Sequence, residues 1–146
     1  MKASATPSMT RTWEKKKITM HGYAKQTNQK KSVRVYGRGL NISNKKSIIL
    51  CGTLTGKQLN KGRKLLKNLL GQTQDLDGKY YTKTAKEFLM LLDSAAKNAE
   101  ARGLDEDRLL IHASAHKAFT FMRPRGWKHR RERKKMTNVQ IVLEER

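Results

Sequence analysis

The last third of the chain holds two strand-like segments on either side of a strongly basic stretch. Residues 109–115 and 139–143 have strand character. The second alternates, with Val139, Ile141 and Leu143 on one face and Asn138 and Gln140 on the other. Between them, residues 123–135 carry eight Lys and Arg residues and a single acid, Glu132. Pro124 and Gly126, on either side of Arg125, favour a chain reversal near residues 122–127. The sequence therefore predicts a β-hairpin over about residues 109–143, with a basic end that must project into something anionic.

The basic end has the chemistry of a nucleic-acid contact rather than of a merely solvated charge run. Arg binds phosphate through two parallel hydrogen bonds, and Trp and His rings offer flat faces on which bases stack. Lys45 and Lys46 fall in the first turn of a predicted helix, where the helix dipole disfavours cations and a bound phosphate would remove the conflict. The residues predicted to bind RNA are Lys45, Lys46, Lys117, Arg123, Arg125, Trp127, Lys128, His129, Arg130, Arg131, Arg133, Lys134 and Lys135.

Three helices are predicted before the hairpin. The first begins after the N-cap Ser43 and covers residues 44–54, with Ile48, Ile49 and Cys51 on its buried side. The second covers residues 58–70 and ends at Gly71. Its inward side chains are predicted to be Leu59, Leu65, Leu66, Leu69 and Leu70.

The third helix carries the longest apolar stripe and is the predicted scaffold for the hairpin. A capping box formed by Thr84 and Glu87 marks its start, and Gly103 ends it with Leu104 folded back on the last turn. The stripe repeats at steps of three and four residues and comprises Ala85, Phe88, Leu89, Leu92, Ala95, Ala96 and Ala99.

The remaining segments complete a predicted α+β fold. Residues 32–42 fit a strand that bends or bulges at Gly37–Gly39, and residues 1–31 read as an extended basic arm that orders only on its partner. We therefore expect three helices packed on a small antiparallel sheet, with a long basic β-hairpin extension and a basic N-terminal arm. Residues 32–146 would form one domain.

Charge indicates the class of partner. The 146 residues carry a net charge of +21, which exceeds what solubility requires and points to a polyanion, with nucleic acid expected before an anionic membrane surface. No run of 18 apolar residues and no signal-peptide core occurs, so we expect a cytoplasmic protein without membrane contact. The single Cys51 fits a reducing compartment, and the apolar stripe serves one internal core, so no homo-oligomer is expected.

No metal, cofactor or catalytic site is predicted. His112 and His116 lie four residues apart in a strand, which separates them by about 13 Å on one face, too far to share a metal. Asp75 and Asp77 lack the further ligands of a calcium loop. Ser114 has neither a glycine elbow nor an acid spaced to orient a base, so an enzyme is not expected.

Several segments resemble, in sequence and order, the universal large-subunit ribosomal protein number twenty-two family in its archaeal and eukaryotic style. The resemblance covers about residues 39–145, and NAEARGLD and AHK are its most specific parts; the other matching segments are LNISNKKSIILCGTLTGKQLNKGRKLLKNLL, MRPRGW and TNVQIVLEE. It implies an α+β domain that binds large-subunit ribosomal RNA and extends a hairpin along the nascent-peptide exit tunnel. The residues it places near the tunnel tip are Met122, Arg123, Pro124, Arg125, Gly126 and Trp127.

The predicted function is therefore structural. We expect a constituent of the large ribosomal subunit that contacts ribosomal RNA, neighbouring ribosomal proteins and, near the hairpin tip, the nascent peptide. The alternative is an architectural DNA-binding protein that uses the basic hairpin as a groove-binding arm. An RNA-processing enzyme fits less well, because Glu132 is the only acid near the basic end.

Overall fold

Three helices pack on one face of a three-stranded antiparallel sheet, as predicted. The computed structural model describes residues 22–28, 30–122 and 132–146. Its elements, in chain order, are β1 (Ser32–Leu40), α1 (Asn44–Leu54), α2 (Leu59–Leu70), α3 (Thr82–Glu100), a short 3-10 turn (Glu106–Arg108), β2 (Leu109–Met122) and β3 (Arg133–Glu145).

The last strand lies in the middle of the sheet, in the order β1-β3-β2. β3 pairs antiparallel with β2 from Leu109↔Glu145 to Met122↔Arg133, and β2 and β3 are both longer than the sequence pattern predicted. Alternate β3 residues, among them Val139, Ile141 and Leu143, are fully buried against the helices. Side chains beyond Lys117 on β2 and before Met136 on β3 are mostly exposed, so the two strands continue past the core as a ribbon.

The bend predicted in β1 is present. The pairing of β1 with β3 shifts register between Gly37 and Leu40, and Gly39 has a φ of +63°. Its N–H donates a hydrogen bond to Asn138 Oδ1 at 2.8 Å, which fixes the bulge against β3. A positive φ is available to glycine without steric cost, and this explains the residue at that position.

The core lies between the sheet and α3, whose apolar stripe is buried as predicted except that Leu89 is only partly buried. Its end is also as predicted, because Gly103 has a φ of +70° and the Leu104 N–H bonds back to the Ala99 carbonyl. The predicted capping box is wrong. The helix begins at Thr82 after a buried Tyr81, so Thr84 is a buried residue of the first turn and no side chain caps the helix.

The bounds of α1 are as predicted, but its buried face is rotated. Ile48 is 51% exposed, and the buried positions are Ser47, Leu50, Cys51 and Leu54. Ser47 can be buried because its Oγ donates to the Ser43 carbonyl at 2.9 Å. The prediction is confirmed for Cys51, and Ile49 is partly buried against the core, but it is wrong for Ile48, because the more apolar of two neighbouring side chains was assigned to the core.

Candidate nucleic-acid interface

A groove of about 740 Å³ lies where the start of α1, the start of α3 and the β2–β3 ribbon meet. Six cationic side chains line it, and we call it the basic groove. Its cations are Lys45, Lys46, Lys83, Lys117, Arg133 and Lys135. Among the described residues that line it, none is acidic. The groove therefore concentrates positive charge among its described lining residues.

A buried hydrogen bond joins the loop before α1 to the sheet beside the basic groove. Thr137 on β3 is fully buried, and its Oγ1 donates to the Ile42 carbonyl at 2.8 Å, which ties the loop before α1 to the central strand. The β2 strand carries a bulge between Lys117 and Thr120, so Lys117 and Thr120 both line the groove. The loop before α1 and the base of the ribbon thus form opposite walls of one site.

The start of α1 adds a partial positive charge. Its first turn contains no acid, and the Ser43 side chain makes no capping hydrogen bond. The first backbone N–H groups of a helix lack intrahelical partners and favour anions, whereas Lys45 and Lys46 are disfavoured there. An anion in the basic groove would stabilise both features. The Lys46 ammonium lies 5.9 Å from the centre of the Tyr81 ring, which holds it near the groove.

One buried polar atom in the groove has no partner. Asn44 Oδ1 is inaccessible to solvent and makes no hydrogen bond with the described residues. An unsatisfied buried polar group costs about 1–3 kcal/mol.

The structure gathers part of the predicted RNA-binding set. Lys45, Lys46, Lys117, Arg133 and Lys135 meet in the basic groove. Lys134 is exposed and pairs across the ribbon with Phe121, and it is not a groove residue. Met122 ends β2 and is 58% exposed. The other predicted residues lie outside the described residues: Arg123, Pro124, Arg125, Gly126, Trp127, Lys128, His129, Arg130 and Arg131.

Lys83 is a groove residue that the sequence did not indicate. It lies in the first turn of α3, far along the chain from both Lys45 and Arg133. Its only local signal was a lysine on the exposed side of a predicted helix start, which many helices share. Packing of α3 beside α1 brings it to the site.

The face of the sheet opposite the helices is partly covered by residues 22–28, which belong to the predicted arm. The Ala24 N–H donates to Gln140 Oε1 at 3.0 Å, and Gln140 Nε2 donates to the Gly22 carbonyl at 2.9 Å. Lys25 Nζ contacts Glu144 Oε2 at 2.6 Å and His112 Nε2 at 2.7 Å. This part of the arm lies against the sheet.

These contacts set two pKa values. The hydrogen bond from Lys25 lowers the pKa of the Glu144 carboxyl below its ordinary value. Burial, followed by the charge of Lys25, lowers the pKa of His112 below 6.5 despite the opposing effect of Glu144. His112 is therefore neutral at pH 7.

Residues 22–28, 30–122 and 132–146 contain no group of three or more His, Cys, Asp or Glu placed to hold a metal ion. Within the same ranges, no helix is both long and apolar enough to cross a bilayer.

Comparison with known proteins gives one family. The model of the family described as Ribosomal protein L22p/L17e matches residues 35–144. Three relatives are each named Large ribosomal subunit protein uL22. The protein of Nitrosopumilus maritimus is 36% identical over 86 residues, covering 54% of this chain and 57% of its own length. The protein of Staphylothermus marinus is 29% identical over 118 residues, which cover 63% of this chain and 75% of that protein. The protein of Methanopyrus kandleri is 40% identical over 76 residues, which cover 47% of this chain and 46% of that protein.

Proposed function

The chain belongs to the ribosomal protein L22p/L17e family, and from this premise we propose that it binds large-subunit ribosomal RNA through the basic groove and extends the β2–β3 ribbon along the nascent-peptide exit tunnel. Family membership makes it a structural constituent of the large ribosomal subunit and not an enzyme. The matched region includes α1, α3 and both ribbon strands, which supply every cation of the basic groove.

The basic groove is the observation that carries the RNA-binding proposal. Its six cations converge on one concave site without a lining acid, next to an uncapped helix start. Neutralising phosphates with Lys and Arg releases condensed counterions, and this release supplies most of the affinity of such sites. The groove accordingly suits a folded RNA backbone, which presents many phosphates at close spacing.

The family assignment favours RNA over DNA as the partner, because the matching family is ribosomal. It gives no support to the alternative of an architectural DNA-binding protein.

The shape of the ribbon supports the tunnel part of the proposal. From Lys117 to Met122 the strand has left the core, and six residues of strand reach about 15–20 Å. Among the described residues, most side chains of this basic ribbon are exposed, so they are available to other molecules. We infer that ribosomal RNA and neighbouring ribosomal proteins surround it, with the nascent peptide near residues 122–127.

Salt dependence tests the RNA site. We expect the double variant Lys117→Ala/Lys135→Ala to weaken binding to a large-subunit ribosomal RNA transcript and to reduce the slope of log K against log salt by about 0.7–0.9 per lost phosphate contact. The matched control is Lys61→Ala/Lys64→Ala, which removes the same charge from the exposed side of α2. Equal slopes for the two double variants would exclude the basic groove as the RNA site.

A further inference from the structure

We propose that the sheet face opposite the helices stacks unpaired RNA bases on a stripe of aromatic side chains. The aromatic stripe consists of Tyr23, Tyr36, His116, Phe119 and Phe121. The proposal rests on the proposed RNA-binding function and adds a second, chemically different contact to it. The basic groove would bind phosphates, whereas the aromatic stripe would bind the bases of a single-stranded segment.

The outer end of the aromatic stripe is an exposed ring pair on the ribbon. Phe119 and Phe121 have ring centres 6.0 Å apart and planes inclined by 27°, and they are 57% and 41% exposed. Their positions, two residues apart on β2, place both rings on the same side of the ribbon. Phenylalanine side chains are stabilised by burial away from water. Two neighbouring phenylalanines that stay exposed therefore indicate a contact with another molecule.

The bulge in β1 leaves room for this ring pair. A Cβ added at Gly39 would lie 3.1 Å from Phe119 Cε1, so glycine at this position allows the ring to approach the backbone of β1. The Gly39 N–H is held by Asn138, whose Nδ2 lies 3.4 Å from His116 Nε2. Asn138 thus connects the outer ring pair to the inner one on a single face.

The inner pair borders a second groove. The rings of Tyr36 and His116 are stacked, with centres 6.4 Å apart and planes inclined by 29°. They line a shallow, open groove of about 580 Å³ with Tyr23, Ser114 and Gln140. Ser114 supplies a hydroxyl at its wall. A flat heterocycle with polar edges fits this lining.

Charge identifies the occupant as RNA rather than protein. The Arg34 guanidinium lies 5.5 Å from the centre of the Tyr23 ring, and the exposed Lys134 is the direct cross-strand partner of Phe121. Among the described residues lining the second groove, none is acidic. Aromatic rings interleaved with cations are the usual design of single-strand binding surfaces, in which bases stack and phosphates pair. The Arg34 Nη2 donates to the Thr27 carbonyl at 2.9 Å, but an apolar protein patch would offer no counter-charge to Lys134.

The test compares two probes on the full-length chain. We expect the double variant Phe119→Leu/Phe121→Leu, which keeps apolar side chains but removes both rings, to bind single-stranded oligouridine about tenfold more weakly than the wild-type chain. Its affinity for an RNA duplex of the same length should stay within about twofold, because duplex binding depends on phosphates. Tyr80→Leu is the control, since Tyr80 is an exposed ring (42%) outside the aromatic stripe.

Each outcome has a definite meaning. A selective loss of single-strand binding supports base stacking. If the double variant binds both probes as the wild-type chain does, or loses affinity equally for both, the base-stacking proposal is overturned. Unchanged affinity for both probes would indicate that the ring pair contacts protein. Tyr36→Leu tests the inner pair independently. A wild-type chain that binds neither probe would instead overturn the proposed RNA-binding function, so the two failures are distinguishable.

Discussion

Gly62 on α2 packs directly against Ile111 on β2, and a Cβ added at Gly62 would lie only 2.4 Å from Ile111 Cδ1. Both residues are buried, with Ile111 fully so. Glycine within a helix costs about 1 kcal/mol relative to alanine, so its presence here needs a compensating gain. The gain is close packing of α2 on the sheet.

Two glycine substitutions test this packing. We expect Gly62→Ala to lower the free energy of unfolding, because the new Cβ would force the fully buried Ile111 side chain to shift within the core. Gly52→Ala on α1 is the matched control: nothing lies within 4 Å of the new Cβ, and this variant should be more stable than the wild-type chain. The two variants should differ by about 1–3 kcal/mol in urea unfolding. Equal stability would show that Ile111 can rearrange freely.

Cys51 gives a second prediction, which concerns reactivity. The thiol is only 6% exposed, and burial raises its pKa to about 12. The thiolate is the reactive form, so alkylation by iodoacetamide at pH 8 should be on the order of a thousandfold slower in the folded chain than in urea. Mass spectrometry of labelled protein measures both rates. Similar rates would mean that α1 exposes the thiol in the folded protein.

Local features of the fold could be predicted from the sequence because neighbouring residues determine them. The bounds of α1, the buried stripe of α3 and the bend at Gly39 all follow from spacing or from glycine. The full length of β2 did not, because alternation appears only where one strand face is buried. Beyond Lys117 both faces are largely exposed, and the pattern is lost.

The candidate site was less predictable than the fold. The sequence indicated its basic character and several of its cations, but Lys83 joins them only through the packing of α3 beside α1. The aromatic stripe was missed for the same reason, since Tyr36 and His116 meet across the sheet. Of the proposed tip, residues 122–127, only Met122 lies within the described residues.

The Lys25–Glu144 pair predicts a pH effect on the covering segment, residues 22–28. The pKa values of Glu144 and His112 are both lowered in the folded chain. The stability that Glu144 contributes is therefore fully present above the pKa of an unfolded glutamate, about 4.3. The stability that His112 contributes is fully present above the pKa of an unfolded histidine, about 6.5. Each contribution is lost as pH falls through the pKa of that residue in the folded chain. Acidification should weaken this contact.

Comparison of Lys25→Met with the wild-type chain isolates the effect. The pair is partly exposed, with 42% and 31% of the two side chains accessible, so the variant should lose less than about 1 kcal/mol at pH 7. The difference should narrow as pH falls through the folded pKa of Glu144, because the carboxyl then becomes protonated and charged His112 repels Lys25. Urea unfolding at several pH values measures it, and a constant difference would contradict the assigned pKa shifts.

The last prediction concerns the proposed tunnel tip. β2 and β3 remain paired up to Met122↔Arg133, so residues 123–132 can be replaced by Asn-Gly, which forms a two-residue hairpin turn, without disturbing the described register. We expect the shortened chain to fold and to enter large subunits, because the basic groove is intact. The change should appear in the tunnel, in the passage of certain nascent chains or the action of inhibitors that bind there.

The competing expectation is that Arg123 and Arg125 anchor the protein, in which case the shortened chain would fail to enter subunits. Two measurements decide between them: occupancy of the shortened chain in sedimented large subunits, and translation of a reporter that depends on the nascent peptide. The double variant Lys117→Ala/Lys135→Ala is the complementary control, because it should lower occupancy while leaving the tip in place. Loss of occupancy by the shortened chain with no tunnel effect would reject the tunnel role, because anchoring alone would then explain why the hairpin is basic.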